Sequence, residues 1–208
     1  MSEKIILFGD SHTSVFTLKN KGMTPDNTLV KGDRFYSFRT WPYLCYNLKD
    51  KIPILKKLLE SMKIPKNDLL FISYGESDIR HHIGFRAKGN LEETIRVVVL
   101  NYIEVLKILQ IDYPKLGIYA PIASGHGNQP GGNQRIPCYG NSYERNKITL
   151  IFNKILREEC EKNNIAFKSI YEKLVNENNE TIEGIHYDGI HLDPTKTYHL
   201  LEEEFKLN

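Results

Sequence analysis

Short apolar runs that stop at glycine or proline, separated by long stretches of helical periodicity, constrain this chain most. Ile5-Ile6-Leu7-Phe8 stops at Gly9, Asp68-Leu-Leu-Phe-Ile-Ser-Tyr74 stops at Gly75, and Leu116-Gly-Ile-Tyr-Ala120 stops at Pro121. Runs that are apolar at nearly every position read as strands covered on both faces. Leu91 to Ile111 carries Ile95, Val98, Val99, Tyr102, Val105, Leu106 and Leu109 at helical spacing, and Tyr143 to Asn163 carries Ile148, Ile151, Phe152, Ile155 and Leu156. Strands alternating with long helices predict an α/β fold, a mostly parallel sheet with helices on both faces and right-handed crossovers. The C-terminal strand ends then bring Gly9–His12, Gly75–His82, residues 123–141 and residues 183–193 to one edge, where open α/β sheets bind ligands.

The remaining segments fill in around this frame. His12 to Asn20 reads as a short helix, residues 20–42 as irregular, and Tyr43 to Asp50 and Pro53 to Met62 as helices. Ile165-Ala-Phe167 is a short strand, Ile170 to Val175 a short helical piece, and Thr195 to Phe205 a closing helix. The stretch 123–141, with Gly125, Gly127, Gly131 and Gly132, has no Lys-Ser/Thr after its glycines and so no phosphate-binding signature; it reads as a wall of the cleft or a surface excursion. A chain of 208 residues is expected to form one domain, 1–208. A net charge of +2, with Lys and Arg scattered among acids, argues against a nucleic-acid surface. Cys45, Cys138 and Cys160 make neither a metal spacing nor a disulfide framework and fit a reducing compartment. The apolar run after Met-Ser-Glu-Lys is too short for a signal peptide or a membrane span, so a cytoplasmic location is expected.

Three blocks carry chemistry. In Gly9-Asp10-Ser11-His12 the glycine permits a sharp turn at a strand end, a way to display a nucleophilic hydroxyl, although Gly-Asp-Ser is also ordinary turn chemistry. In Asp188-Gly189-Ile190-His191 the spacing lets the carboxylate fold back onto the imidazole Nδ1–H. Nε2 is then free to take a hydroxyl proton, the help a serine needs at neutral pH. The bland alternative is a turn capped by Asp188 with His191 packed beside it. In Gly75-Glu76-Ser77-Asp78-Ile79-Arg80-His81-His82, Arg80 either holds an anionic substrate group or pairs with Glu76 or Asp78, and His82 is a candidate oxyanion donor. Tyr36, Phe38, Trp41, Tyr139 and Tyr143 are candidates for stacking on a sugar or for ordinary packing.

In their order and spread along the chain these blocks resemble the SGNH (GDSL-like) hydrolase superfamily. The resemblance implies a flavodoxin-like, three-layer α/β/α sandwich around a mostly parallel five-stranded sheet, and a metal-free, cofactor-free serine esterase mechanism. It implies Ser11 as nucleophile, His191 as general base and Asp188 as the orienting acid, with Asp10, Gly75, Glu76 and Asp78 supporting. It further implies oxyanion donors from the Ser11 N–H, from a glycine for which Gly32 is the candidate, and from an asparagine. This chain has Ser77 where that asparagine belongs, a departure that removes a donor whose loss costs about 3–4 kcal/mol in a well-studied protease. The form Gly-Glu-x-Asp-x-Arg-x-His, together with Tyr143-Glu144-Arg145-Asn146, resembles a subgroup associated with bacterial surface-polysaccharide gene clusters, in which Arg80 and His82 would supply the missing donors. The substrate expected is a small acyl ester, foremost an O-acetyl group on a carbohydrate. Three alternatives stay open: acyl transfer on the same scaffold, a catalytically inactive carbohydrate-binding relative, and a metal-dependent phosphoesterase using Asp10, His12, Asp78, His81, His82 and His191.

Overall fold

The structure, a computed structural model, describes residues 4–17, 22–63, 65–66, 68–126 and 137–206. Its centre is a sheet of order β2-β3-β1-β4-β5-β6. The strands are β1 (Ile5–Gly9), β2 (Leu29–Lys31), β3 (Phe35–Arg39), β4 (Leu69–Ser73), β5 (Leu116–Tyr119) and β6 (Ala166–Lys168). All pairings are parallel except that of β2 with β3. The helices are α1 (Ile52–Ser61), α2 (Glu76–Asp78), α3 (Gly84–Arg86), α4 (Leu91–Gln110), α5 (Ser142–Lys162) and α6 (Pro194–Glu204). A π turn, Ile79–Ile83, joins α2 to α3, and 3-10 helices occupy Ser11–Phe16, Cys45–Lys51 and Tyr171–Lys173.

The expected α/β layering is present, and alternation along the strands explains it. Ile6, Phe8, Leu70, Ile72 and Ile118 point to one face, against Val99, Tyr102 and Leu106 of α4 and Phe152 and Ile155 of α5. Ile5, Leu7, Phe71 and Tyr119 point to the other, against Phe16, Leu201 and Phe205. Each central strand therefore buries both faces, which is why its sequence shows no polar alternation.

Two expectations need correction. Among the described residues the sheet has six strands rather than five, and the stretch 20–42, expected to be irregular, holds β2 and β3, with β3 one of the two partners of β1. The dense Gly and Pro punctuation marks the ends of these strands, and the aromatic run Phe35-Tyr36-Ser37-Phe38 fills the second of them. No helix among the described residues is long and apolar enough to cross a membrane.

Candidate active site

β1 ends in a turn stitched to both neighbouring strands. The Asp10 N–H donates to the Ser73 carbonyl at 3.1 Å, and the Thr40 N–H donates to the Gly9 carbonyl at 2.6 Å. Asp10 then caps the first 3-10 helix by accepting the His12 N–H at 3.0 Å. Ser11 opens that helix at the C-terminal edge of the sheet. Its Oγ lies 2.8 Å from His191 Nε2, and His191 Nδ1 lies 2.6 Å from Asp188 Oδ2.

The loop that brings His191 across is organised by the same carboxylate. Asp188 Oδ1 accepts the N–H groups of Ile190 at 2.9 Å and His191 at 2.7 Å, closing residues 188–191 into an Asx-type turn. A carboxylate against Nδ1 makes that nitrogen the donor, so Nε2 presents its lone pair to the Ser11 hydroxyl. Burial pushes the Asp188 carboxyl up, but the bonds from the His191 and Ile190 N–H groups and from the His191 ring outweigh it and hold it below the usual carboxylate range. Burial, and after it the neighbouring His12 ring, lowers the proton affinity of His191 against the pull of Asp188. Tyr187 stacks on the His191 ring at 5.9 Å and donates its hydroxyl to the Gly22 carbonyl.

The loop is braced from α5. Arg145 is buried and donates to the carbonyls of Tyr139, Gly140 and Gly125. Asn146 accepts the Ser124 N–H at 2.8 Å and donates to Thr181. Gly125 packs on the Gly189 carbonyl, and His186 bonds the Ala123 carbonyl at 3.1 Å. The Tyr143–Asn146 stretch thus holds a loop that holds the histidine loop. In the sequence this stretch carries only the subgroup resemblance, because nothing local says what its side chains grip. Gly127, Gly131 and Gly132 lie outside the described residues.

The third block splits. Gly75 adopts φ +114°, and a Cβ there would sit 3.0 Å from both Phe152 and Pro121. Glu76 turns to the site, its Oε1 accepting from Arg80 Nε at 2.6 Å and its Oε2 lying 3.4 Å from His12 Nε2. Burial raises the Glu76 carboxyl, but the Arg80 charge and the His12 contact overcome that and hold it far below the usual range. Arg80 lines a small cleft with Gly125, Cys138, Gly189 and Ile190, next to the histidine loop. Asp78 faces away and accepts the N–H groups of Cys45 at 2.7 Å and Tyr46 at 3.2 Å, capping the helix that starts there. Burial raises its pKa to about 6. Ser77 is half-buried, and its hydroxyl enters no hydrogen bond among the described residues.

Two expected donors are not brought to Ser11. Gly32 sits in the β2–β3 hairpin, where its N–H donates to the Phe35 carbonyl. β3 runs parallel to β1 with Phe35 opposite Ile5, so Gly32 lies at the N-terminal edge, about 15 Å of strand away from Ser11. His82 faces a cavity of about 320 Å³ shared with Tyr46, Arg86 and the first turns of α4. Of the five aromatic candidates, Phe38 is buried against Phe8, while Trp41 is 65% exposed just past the C-terminal end of β3, whose last residue pairs with Gly9. Among the described residues no three His, Cys, Asp or Glu side chains group as a metal site, and Asp78 and His82, two of the ligands considered for a phosphoesterase, are turned elsewhere.

No protein-family profile matches the sequence, and no curated protein matches it. Solved structures do. An acetyl xylan esterase superposes with TM-score 0.59 at 15% identity, covering 98% of this chain and 98% of its own. A GDSL-like lipase from Bacteroides thetaiotaomicron gives 0.58 at 15% identity, covering 98% and 86%, and a lipase/acylhydrolase from Enterococcus faecalis gives 0.57 at 18%, covering 98% and 93%. This chain has the GDSL-type hydrolase fold. At these identities the likeness speaks for the fold alone.

Proposed function

We propose that this GDSL-fold chain is a serine esterase that removes a small acyl group, foremost an O-acetyl group from a carbohydrate. The observation that carries this reading is the unbroken hydrogen-bond chain Asp188–His191–Ser11, contributed by opposite ends of the sequence. In the forward step the Ser11 hydroxyl gives its proton to His191 Nε2 as its oxygen attacks the ester carbonyl carbon. The Asp188 carboxylate stabilises the imidazolium that forms. Collapse of the tetrahedral intermediate releases the alcohol, which takes the proton from His191, and leaves an acyl-enzyme on Ser11. Water then repeats the sequence, with His191 again the base, and releases the acid.

The negative charge on the carbonyl oxygen falls next to the N-terminus of the 3-10 helix, where the Ser11 N–H is the backbone donor. The exposed Trp41 at the same sheet edge offers an aromatic face to a sugar ring. The names of the structural neighbours, acetyl xylan esterase among them, agree with an acetylated carbohydrate.

Fluorophosphonate treatment tests the assignment. The expected result is a single adduct on Ser11, with Ser11→Ala folding normally and losing at least about a thousandfold in turnover of an aryl acetate. Turnover retained in Ser11→Ala ends the reading. Activity should persist in a chelator; a loss there would favour metal-dependent phosphoesterase chemistry. A panel of acetylated sugars then identifies the alcohol.

A further inference from the structure

His12 follows the nucleophile directly, and its ring lies 5.1 Å from the His191 ring at an angle of 35°. Its side chain is 6% exposed, and its Nε2 stands 3.4 Å from Glu76 Oε2. Neither ring nitrogen has a hydrogen-bond partner among the described residues. A second imidazole so deeply buried beside the first, contacting a carboxylate rather than a carbonyl or hydroxyl, is not explained by packing.

We propose that His12 is a positioning residue for the reaction: seated on Glu76 and packed against the His191 ring, it sets how acidic a medium the Ser11–His191 pair can work in. This rests on the esterase reading above.

The surrounding charges decide the sign. From the β1 turn, Asp10 faces His12; from the 76–86 segment, Glu76 and Arg80 face it; from the closing loop, His186 and the Asp188–His191 pair do. Tyr74 and Tyr119 line the small cavity behind it with their hydroxyls protonated, since burial raises both. Burial disfavours a charged His12, but Glu76 and then Asp10 outweigh burial and Arg80, and the ring holds its proton above the ordinary histidine range. Arg80 opposes weakly because Glu76 already occupies its guanidinium. A cation at this distance works against a second proton on His191. Added to the burial of His191, which is the larger cause, this leaves His191 a free base, able to accept from Ser11, at a pH where an isolated histidine would already be protonated.

The test is the rate of fluorophosphonate reaction at Ser11 from pH 4.5 to 8 in the wild-type protein, His12→Asn and His12→Phe. The readout is the position of the acid limb, which does not depend on the plateau rate. Both variants remove the charge, so in both the limb should move up by about one pH unit. An unmoved limb in both variants overturns the proposal. So does a limb moved in His12→Asn but not in His12→Phe, the mark of lost ring packing alone. The wild-type protein gives a second test that needs no variant: in an NMR titration of the imidazole protons, His12 should release its proton at a higher pH than His191. The reverse order overturns the proposal even where a variant fails to fold. A wild-type protein inert to the probe at every pH would instead refute the esterase reading, and the histidine titration order still judges His12.

Discussion

Gly9-Asp10-Ser11 and Gly75-Glu76-Ser77 are nearly the same tripeptide, placed at the ends of adjacent parallel strands, with Gly9 opposite Ser73 in the register. They do opposite things. In the first, the acid turns back to cap a 3-10 helix and the serine meets an imidazole. In the second, the acid turns to the site, where it holds Arg80 and contacts His12, while the serine hydroxyl bonds nothing among the described residues. The difference lies in the backbone. Gly9 completes a strand, whereas Gly75 at φ +114° folds the chain straight into a helix, the Ile79 N–H returning to the Gly75 carbonyl at 3.0 Å. Side-chain chemistry at a strand end thus acquires its role from the first dihedral after the strand.

The largest effect expected from probing this contrast is on stability at Gly9. An added Cβ would lie 2.0 Å from the Ser73 carbonyl oxygen, which is sheet backbone and has nowhere to go. Gly9→Ala should cost about 4 kcal/mol or more in urea unfolding, at the severe end for a single substitution. A cost under about 1 kcal/mol would mean that the turn is loose and that its geometry does not fix Ser11. At Gly75 the close neighbours are the Phe152 and Pro121 side chains, which yield more readily.

Next comes Glu76. Glu76→Gln leaves the largely covered Arg80 without its carboxylate, a loss of up to about 3 kcal/mol by comparison with fully buried pairs that lose one partner. The native carboxyl is held far below its unfolded value, so its contribution is complete above the ordinary carboxylate range and is lost as the pH falls through and below it. The stability gap between wild type and Glu76→Gln should therefore shrink on acidification. A gap constant between pH 7 and pH 3 would show that the charge is not what Glu76 contributes.

Asp78, two residues on, carries the opposite sign. Its carboxyl is raised from 3.8 to about 6 because burial outweighs the bonds it accepts from the Cys45 and Tyr46 N–H groups and from the Cys45 thiol. Its stabilising contribution is greatest below the unfolded value and is lost as pH rises through about 6. Asp78→Asn removes the titration and keeps one acceptor. Its stability relative to wild type should rise by about 2 kcal/mol between pH 4 and pH 7. No drift across that range would place Asp78 in a wetter environment than its full burial implies.

How much of this was legible in the sequence follows from what each signal depends on. Both long helices and the central strands β1, β4 and β5 declare themselves through hydrophobic periodicity, a local property. The Asp188–His191 spacing is local too, and the turn it predicts is present. β3 is hidden in the sequence because its ends carry the punctuation of a loop, and Gly32, which the resemblance implies at the site, belongs instead to a hairpin at the far edge, because the motif is too short to say which strand end a glycine follows. The roles of Glu76 and Asp78 depend on which side of one helical turn each faces, which composition cannot report. His12 was visible as part of the first block, but its meaning comes from a ring nearly the whole sequence away.

The smallest effect is expected at Ser77, which stands where the motif that the sequence resembles has an asparagine. Its hydroxyl holds no part of the fold, so Ser77→Ala should leave stability unchanged within about 0.5 kcal/mol. If a short hydroxyl contributes little to the oxyanion, the same variant lowers kcat on an aryl acetate by less than about tenfold, under the 10²–10³ that removal of a full oxyanion donor costs. Ser77→Asn restores the longer amide donor and should raise kcat. A hundredfold loss in Ser77→Ala would make this serine a full oxyanion donor. The two glycine–acid–serine turns would then both feed their serines to the chemistry, one as nucleophile and one as electrophile, and the contrast between them would lie in the role of the serine rather than in which residue the backbone presents.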